Sequence, residues 1–314
     1  MSDVKYFVGT EEAWKALGKA VQDTYAKRVD NIGDAVTEAA ADVKAPDTIV
    51  TFDVSSNLNA DGSKFEGIVT IAGIAGSVVI KEFDQDVTLN CGIKISQDNV
   101  TVQGFEFGKN DLGTNYVIEV GANKNVKIQD NTFSTGDSYK NDVIRVNGAT
   151  DLTISGNIIT DGEHHGMNLT GLKGESDITG NTISGVARSG IQFAVGASGT
   201  INVTGNQITL SKNNTDRVDV DDAAIVIGGE INFTAGGAQF NVTDNTLTVS
   251  GTGMSGNGVS GIVFGGETKT GIDTQLGNLA IENNTIDFSN GANSVRIDTA
   301  NTTVDMTKND LTVN

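Results

Sequence analysis

An asparagine recurs along most of the chain in the frame apolar, two positions, Asn, one position, apolar, and its spacing constrains the fold more than any other feature. The segments KIQDNTF, TISGNII, DITGNTI, NVTGNQI, NVTDNTL, AIENNTI and DMTKNDL place it at Asn131, Asn157, Asn181, Asn206, Asn245, Asn284 and Asn309, and TVQGFEF, from residue 101, keeps the frame without the Asn. Successive intervals are 26, 24, 25, 39, 39 and 25 residues. A second line lies upstream of each Asn: VIEV, VIRV, GMNL, GIQF, AIVI, GIVF and SVRI, with apolar pairs such as Ile118/Val120, Met167/Leu169 and Ile225/Ile227. Two short alternating strands per repeat cannot satisfy their edges locally, so each must pair with its equivalent one repeat later. The chain is therefore expected to wind as a solenoid, one coil per 24–26 residues, with longer coils at about 207–242 and 249–279 where the interval reaches 39. The Asn is expected at a bend, its amide bonded to the backbone of adjacent coils, with the Gly or Asp before it supplying the backbone conformation the bend needs.

Residues 1–46 read differently. Thr10 can cap a helix that opens on Glu11 and Glu12 and carries Trp14, Leu17 and Val21 on one stripe. A second helix over 31–43 puts Ile32, Ala35, Val36, Ala39 and Ala40 on one face, and Pro46 ends it. DTIVTF, from residue 47, then has the β-branched run of a first strand. The expected architecture is a helical cap over 1–46 and one solenoid over 47–314.

With these repeats the chain resembles the right-handed parallel β-helix superfamily, the group with the pectate-lyase-like fold. The resemblance covers about residues 47–314 and implies an all-β, right-handed parallel β-helix solenoid with a short N-terminal α-helical cap. Its members include polysaccharide lyases, glycoside hydrolases, uronan epimerases, phage tail spikes and non-catalytic adhesins, so the resemblance implies a fold and not one activity. NTD with DD inside 213–223, EHHG and SVRI are similar to motifs of the pectin-hydrolysing branch. Their order differs here, His165 preceding Asp221 and Asp222, so those roles are not carried over.

Charge and cysteine narrow the function classes. Net charge is 21 − 40 = −19, which disfavours nucleic acid or an anionic membrane surface as partner. A single cysteine, Cys91, rules out a disulfide framework or a Cys-based metal centre and reads as a buried small hydrophobe. No window is long and apolar enough to span a membrane. Residues 1–10 do not have the basic-then-apolar form of a secretory signal, so the export route is not visible. Abundant Gly, Asn, Asp and Thr nevertheless lean toward an extracellular or cell-surface location.

Aligning the upstream strands gathers polar side chains over successive coils: Asp142, Arg145, His164, His165, Arg188 and Asp222, including both histidines of the chain. These residues suit proton abstraction beside a uronate carboxyl, with His or Arg as base and a cation or Arg to neutralise the carboxylate. Asp142 and Asp222, three coils apart, are about 14 Å apart at roughly 4.8 Å per coil, too far for a hydrolase pair. The simpler reading is a solvated polar face. Tyr116, Glu119, Asn168 and Gln192, facing out, are the candidate binding residues, Tyr116 and Tyr139 being the only outward aromatics expected. Asp216, Asp219, Asp221 and Asp222 offer oxygens to a Ca²⁺ ion, or form an acidic solvated loop, and no other cofactor is expected.

The leading expectation is a non-catalytic extracellular adhesin, or a structural subunit of a bacterial surface layer or filament. Its expected partners are itself, end to end or side by side, or cell-surface glycans. The terminal coil DMTKNDLTVN lacks a capping helix, and its open edge invites pairing. The alternative is a polysaccharide lyase, epimerase or glycoside hydrolase acting on an acidic glycan through His164, His165, Arg145, Arg188 and Asp142.

Overall fold

A computed structural model describes residues 3–55, 67–84, 87–108, 116–134, 141–194, 196–211, 223–228, 238–250, 260–264, 278–289, 293–297 and 310–313. Among these, the strands form three parallel sheets of eleven, nine and nine strands. Each coil adds one strand to each sheet. One turn of the solenoid, for example, runs Thr153–Ser155 in the first sheet, Ile158–Gly162 in the third and Met167–Thr170 in the second. The fold is the all-β parallel solenoid that the repeat implied.

The expected two strands per repeat are three. Each Asn-centred line is two strands, separated by the asparagine bend. The residue before each Asn has a left-handed backbone: φ is +54° at Asp130, +65° at Gly156, +63° at Gly180, +66° at Gly205, +57° at Asp244 and +58° at Asn283. Only Gly, Asn and Asp adopt that conformation readily, which explains the restricted choice there. The bend shifts the inward positions by one, from Ile128 to Asn131 and Phe133, but the strands on its two sides are so short that the line reads as one run in the sequence.

The asparagines hold the coils together. Asn157 Nδ2 donates to the Ile128 carbonyl of the preceding coil at 2.9 Å and to Asn181 Oδ1 of the next at 3.0 Å, and its backbone N–H donates to the same Asn181 oxygen at 3.0 Å. The pattern continues from Asn131 to Asn284, and all six described asparagines are at most 1% exposed. Asn309 lies outside the described residues. Phe105 occupies the first position of this column, and its N–H donates to Asn131 Oδ1 at 3.1 Å.

Aliphatic columns fill the interior, as Ile118, Ile144, Met167, Ile191, Ile225 and Ile262 of the second sheet lie in register and are fully buried. Phe107 and Phe133 stack with ring centroids 4.9 Å apart and planes 6° from parallel. Cys91 is buried in the same core, where desolvation pushes its thiol up to about 12. Because the thiolate is the reactive form, native protein at pH 8 is expected to resist a thiol reagent and to react stoichiometrically once unfolded. Rapid native labelling would show that this part of the core is open.

The first 46 residues are not helical throughout. Thr10 caps the helix Glu11–Ala16, accepting from the Ala13 N–H at 3.2 Å, and Asn31 caps the helix Ile32–Asp42. Strands Asp3–Val8 and Lys27–Val29 accompany these helices, and Asp3–Val8 pairs in parallel with Ile49–Val54. Tyr6, Phe7 and Val8 are buried, which a helical stripe would not have required. Their pairing is decided by the first coil, 46 residues away in sequence, rather than by local periodicity.

Candidate functional site

The short connections 163–166 and 187–190 carry the chain from the third sheet into the second, and with Asp142 at the same point one coil earlier they bring the polar residues together. Glycine ends each connection for a steric reason: a Cβ on Gly166 would stand 2.8 Å from the Gly190 carbonyl oxygen. The tight approach of these coils sets His164 and His165 against their neighbours.

Asp142 is 3% exposed. Its Oδ1 accepts a hydrogen bond from His164 Nδ1, and its Oδ2 lies 3.4 Å from Arg145 Nη1. Burial would raise the Asp142 pKa, but the His164 hydrogen bond and the surrounding positive charge, Arg145 included, outweigh it and hold the carboxyl below its ordinary value. An ionised carboxylate can only accept, so His164 Nδ1 carries a proton, and in the neutral ring the lone pair is on Nε2, on a side chain 20% exposed.

His165 is in the opposite state. The Ser189 backbone N–H donates to His165 Nδ1 at 3.2 Å, so in the neutral ring the hydrogen is on Nε2. Burial is the largest cause that holds its pKa well below 6.5, and the cations Arg188 and Arg145 act in the same direction. The two rings meet edge to face with centroids 4.4 Å apart. One offers a basic nitrogen and the other a fixed N–H donor.

Ligand atoms of Asp142, His164 and His165 lie within 4.8 Å of one another, close enough to consider a metal ion. The donor set does not fit one. A metal-bound imidazole normally gives its other N–H to an acceptor, whereas His165 uses its lone pair to accept from Ser189. The three residues fit proton transfer better than coordination.

Folding keeps His165 neutral, and this sets a pH dependence. Above pH 6.5 neither folded nor unfolded chain protonates it; below 6.5 the unfolded chain takes up a proton that the folded one refuses, so stability falls as pH drops toward the folded pKa. The slope from this one group is about 1.4 kcal/mol per pH unit. His165→Gln, which keeps an acceptor for Ser189, is expected to flatten the stability profile between pH 6 and 4.5 relative to the parent. Parallel profiles from denaturant titrations would mean that His165 titrates normally.

The structure brings Asp142, Arg145, His164, His165 and Arg188 together, and corrects the reading of a solvated face: Asp142 and His165 are 3% and 5% exposed. The Arg188 N–H donates to the His164 carbonyl at 3.2 Å. Asn168 and Gln192 follow Arg145 in one outward column of the second sheet, yet are buried. Glu119 stands one coil before Arg145, engaged with Lys94 at 3.1 Å, and Tyr116 is partly buried just ahead of the strand Ile118–Val120. Tyr139, Asp216, Asp219, Asp221 and Asp222, and with them the Ca²⁺ reading, lie outside the described residues. Sequence reasoning missed Ser189, which acts through its backbone N–H and leaves no mark in residue type.

The family model described as "Right handed beta helix region" matches residues 49–247. No curated protein matches the chain. Among solved structures, the catalytic domain of a GH87 alpha-1,3-glucanase in complex with nigerose is similar at 13% identity and a TM-score of 0.40, over 90% of this chain and 66% of that one. That likeness is too slight to carry an argument about function.

Proposed function

Since the chain belongs to the right-handed β-helix family, whose fold positions side chains without assigning them chemistry, we propose its function from one observation, the pairing of buried Asp142 with the partly exposed His164 beside two arginines. The protein acts on an acidic glycan at the cell surface or outside the cell, as a lyase or epimerase. His164 Nε2 takes the proton from the sugar carbon next to the carboxylate, and Asp142 holds the ring in the tautomer that leaves this nitrogen free. Arg145 and Arg188 face the substrate carboxylate, so that the charge developing on it is met by cations. In the lyase form a C=C bond forms as the bond to the glycosidic oxygen breaks, and that oxygen leaves with a proton from solvent. In the epimerase form the carbon takes a proton from solvent on the opposite side, and His164 gives the abstracted one up to solvent. Support comes from Arg145, whose Nη1 lies 3.4 Å from Asp142 in a chain of net charge −19.

A screen of uronate-containing polysaccharides, read by ultraviolet absorbance of unsaturated product and by solvent deuterium incorporation, tests both forms. No product and no exchange across such a panel would remove the catalytic reading.

A second reading, the non-catalytic adhesin or structural subunit, is favoured by the continuous parallel ladder. It predicts glycan retention without product, or concentration-dependent assembly.

A further inference from the structure

The outer face of the third sheet differs from the other two. Its strands run in register from coil to coil, so the outward side chains form two columns. One holds Thr132, Ile158, Thr182, Gln207 and Thr246; the other, two residues on, holds Ser134, Thr160, Ser184, Thr209 and Thr248. None of these ten side chains is charged, and each is exposed or partly exposed. A protein surface is usually about 25–35% charged, so about three charges would be expected among them. Charges bracket the array instead: Glu106 precedes Thr132 in the first column and Asp287 follows Thr248 in the second. On the same run of coils the second sheet turns Glu119 and Arg145 outward, and the first sheet Lys127, Asp177 and Glu175.

The backbone fixes the spacing on this face. Neighbouring strands stand about 4.8 Å apart and alternate residues of one strand about 6.6 Å apart, so the side chains occupy a grid about 20 Å long. The asparagine ladder from Asn131 to Asn284, at the bend that opens each of these strands, holds every coil in the same register. Both coils of 39 residues keep it, Gln207 pairing with Thr246 and Thr246 with Thr285. Their extra length therefore leaves the grid unbroken. Chemically, the grid sets hydroxyls, which bond to water, beside methyl groups, which restrict the orientations of the water against them. Ile158 adds to the second kind: at 44% it is one of three exposed large hydrophobic side chains among the described residues. No aromatic side chain stands on the grid to stack on a sugar ring. Its area, on the order of 200 Å² from these spacings, is about a quarter of the roughly 800 Å² per partner in a stable protein interface.

We infer that the outer face of the third sheet from Thr132 to Thr248 binds ice. The ligand is the crystal surface, whose oxygens repeat in two directions as the side chains of the grid do. Hydroxyls of the grid bond to water molecules of the lattice, and the methyl groups of Thr and Ile158 lie between them. A charged side chain would keep a hydration shell of its own and hold the crystal off, which accounts for the ten uncharged positions. Nothing in this inference rests on the glycan reading, which concerns the second sheet and the connections that lead into it.

The test grows ice slowly from a solution of the full chain and measures the protein taken into the crystal, together with the thermal hysteresis of the solution. The parent is expected to be enriched in the ice and to produce hysteresis. Thr182→Lys and Thr209→Lys, at the centre of the grid, are each expected to lower the enrichment by about tenfold or more, since the ammonium carries its hydration shell out of the plane. Thr101→Lys, on the outer face of the first sheet, should leave it unchanged. Thr182→Ser loses only a methyl group and should give a smaller drop; where the lysine variants fold poorly it decides, an unchanged enrichment counting against the inference. Exclusion of the parent from ice, an equal loss in Thr101→Lys, or full enrichment of both central lysine variants overturns it. Retention on microcrystalline cellulose, or a dimer that Thr182→Lys dissociates, in place of uptake by ice would overturn it too, and give the face to a polysaccharide or to a second copy.

Discussion

His164→Ala is expected to reduce release of unsaturated product, or deuterium exchange, by a factor of about 10² to 10⁴, the range of a positioned general base. The effect should fall on kcat, because the imidazole acts on the proton in flight and contributes little to holding the ground state. Asp142→Asn should reproduce part of this loss. An amide in place of the carboxylate no longer requires His164 Nδ1 to be the donor, so the tautomer with a free Nε2 is no longer enforced. His165→Gln should be milder, since it removes a neutral donor while leaving the base in place. Substrate turnover by His164→Ala at the parental rate would end the proposal. Loss of activity with loss of folding would not bear on it, and the Cys91 labelling assay distinguishes the two.

The second large effect concerns the asparagine ladder. Asn181→Ala is expected to destabilise the chain by about 3–6 kcal/mol, because two or three buried groups lose partners at about 1–3 kcal/mol each. The Ile154 carbonyl loses the Asn181 Nδ2 donor at 2.9 Å, and Asn157 loses the acceptor of its backbone N–H and of its Nδ2, both at 3.0 Å. Water cannot replace them, as the position is fully buried. A shift of this size should lower the melting midpoint by about 10 °C, or, in a solenoid where each coil contacts only its neighbours, open the coils around residue 181 before the rest. Hydrogen exchange would report the local form. A midpoint within 2 °C of the parent would mean that the ladder is a consequence of coil stacking and not one of its causes.

Most of the coil geometry could be read from the sequence because it repeats. Asn131, Asn157 and their successors mark one bend per coil, and the Gly, Asp or Asn before each from Asn131 to Asn284 is a local requirement that the sequence displays directly. The apolar pairs of the second sheet alternate with period two, so their inward direction follows from strand geometry. Other features were legible only in part. The asparagine bend was visible, but not that the strands on its two sides join different sheets, since each strand is too short to show a period of its own. Residues 3–8 were read without a strand because their partner, Ile49–Val54, is supplied by the first coil.

The polar cluster was legible as a column and illegible as a chemical site. Alignment placed Asp142, Arg145, His164, His165 and Arg188 on neighbouring coils, but it gives one coordinate, the position along the axis. Whether those side chains face water or each other depends on how the connections 163–166 and 187–190 pack, and there a Cβ on Gly166 would stand 2.8 Å from the Gly190 carbonyl oxygen.

The sequence by itself therefore determined the period of the chain, the bend that closes each coil and the residues that fill its interior, because each of these is a local preference repeated along the chain. Only the tertiary structure decided that Asp142 is buried against His164 and that Ser189 fixes the opposite tautomer in His165. Protonation and hydrogen-bond satisfaction depend on which atoms share a dehydrated space, and that is set by the distance between coils, to which the order of residues in any one coil is indifferent.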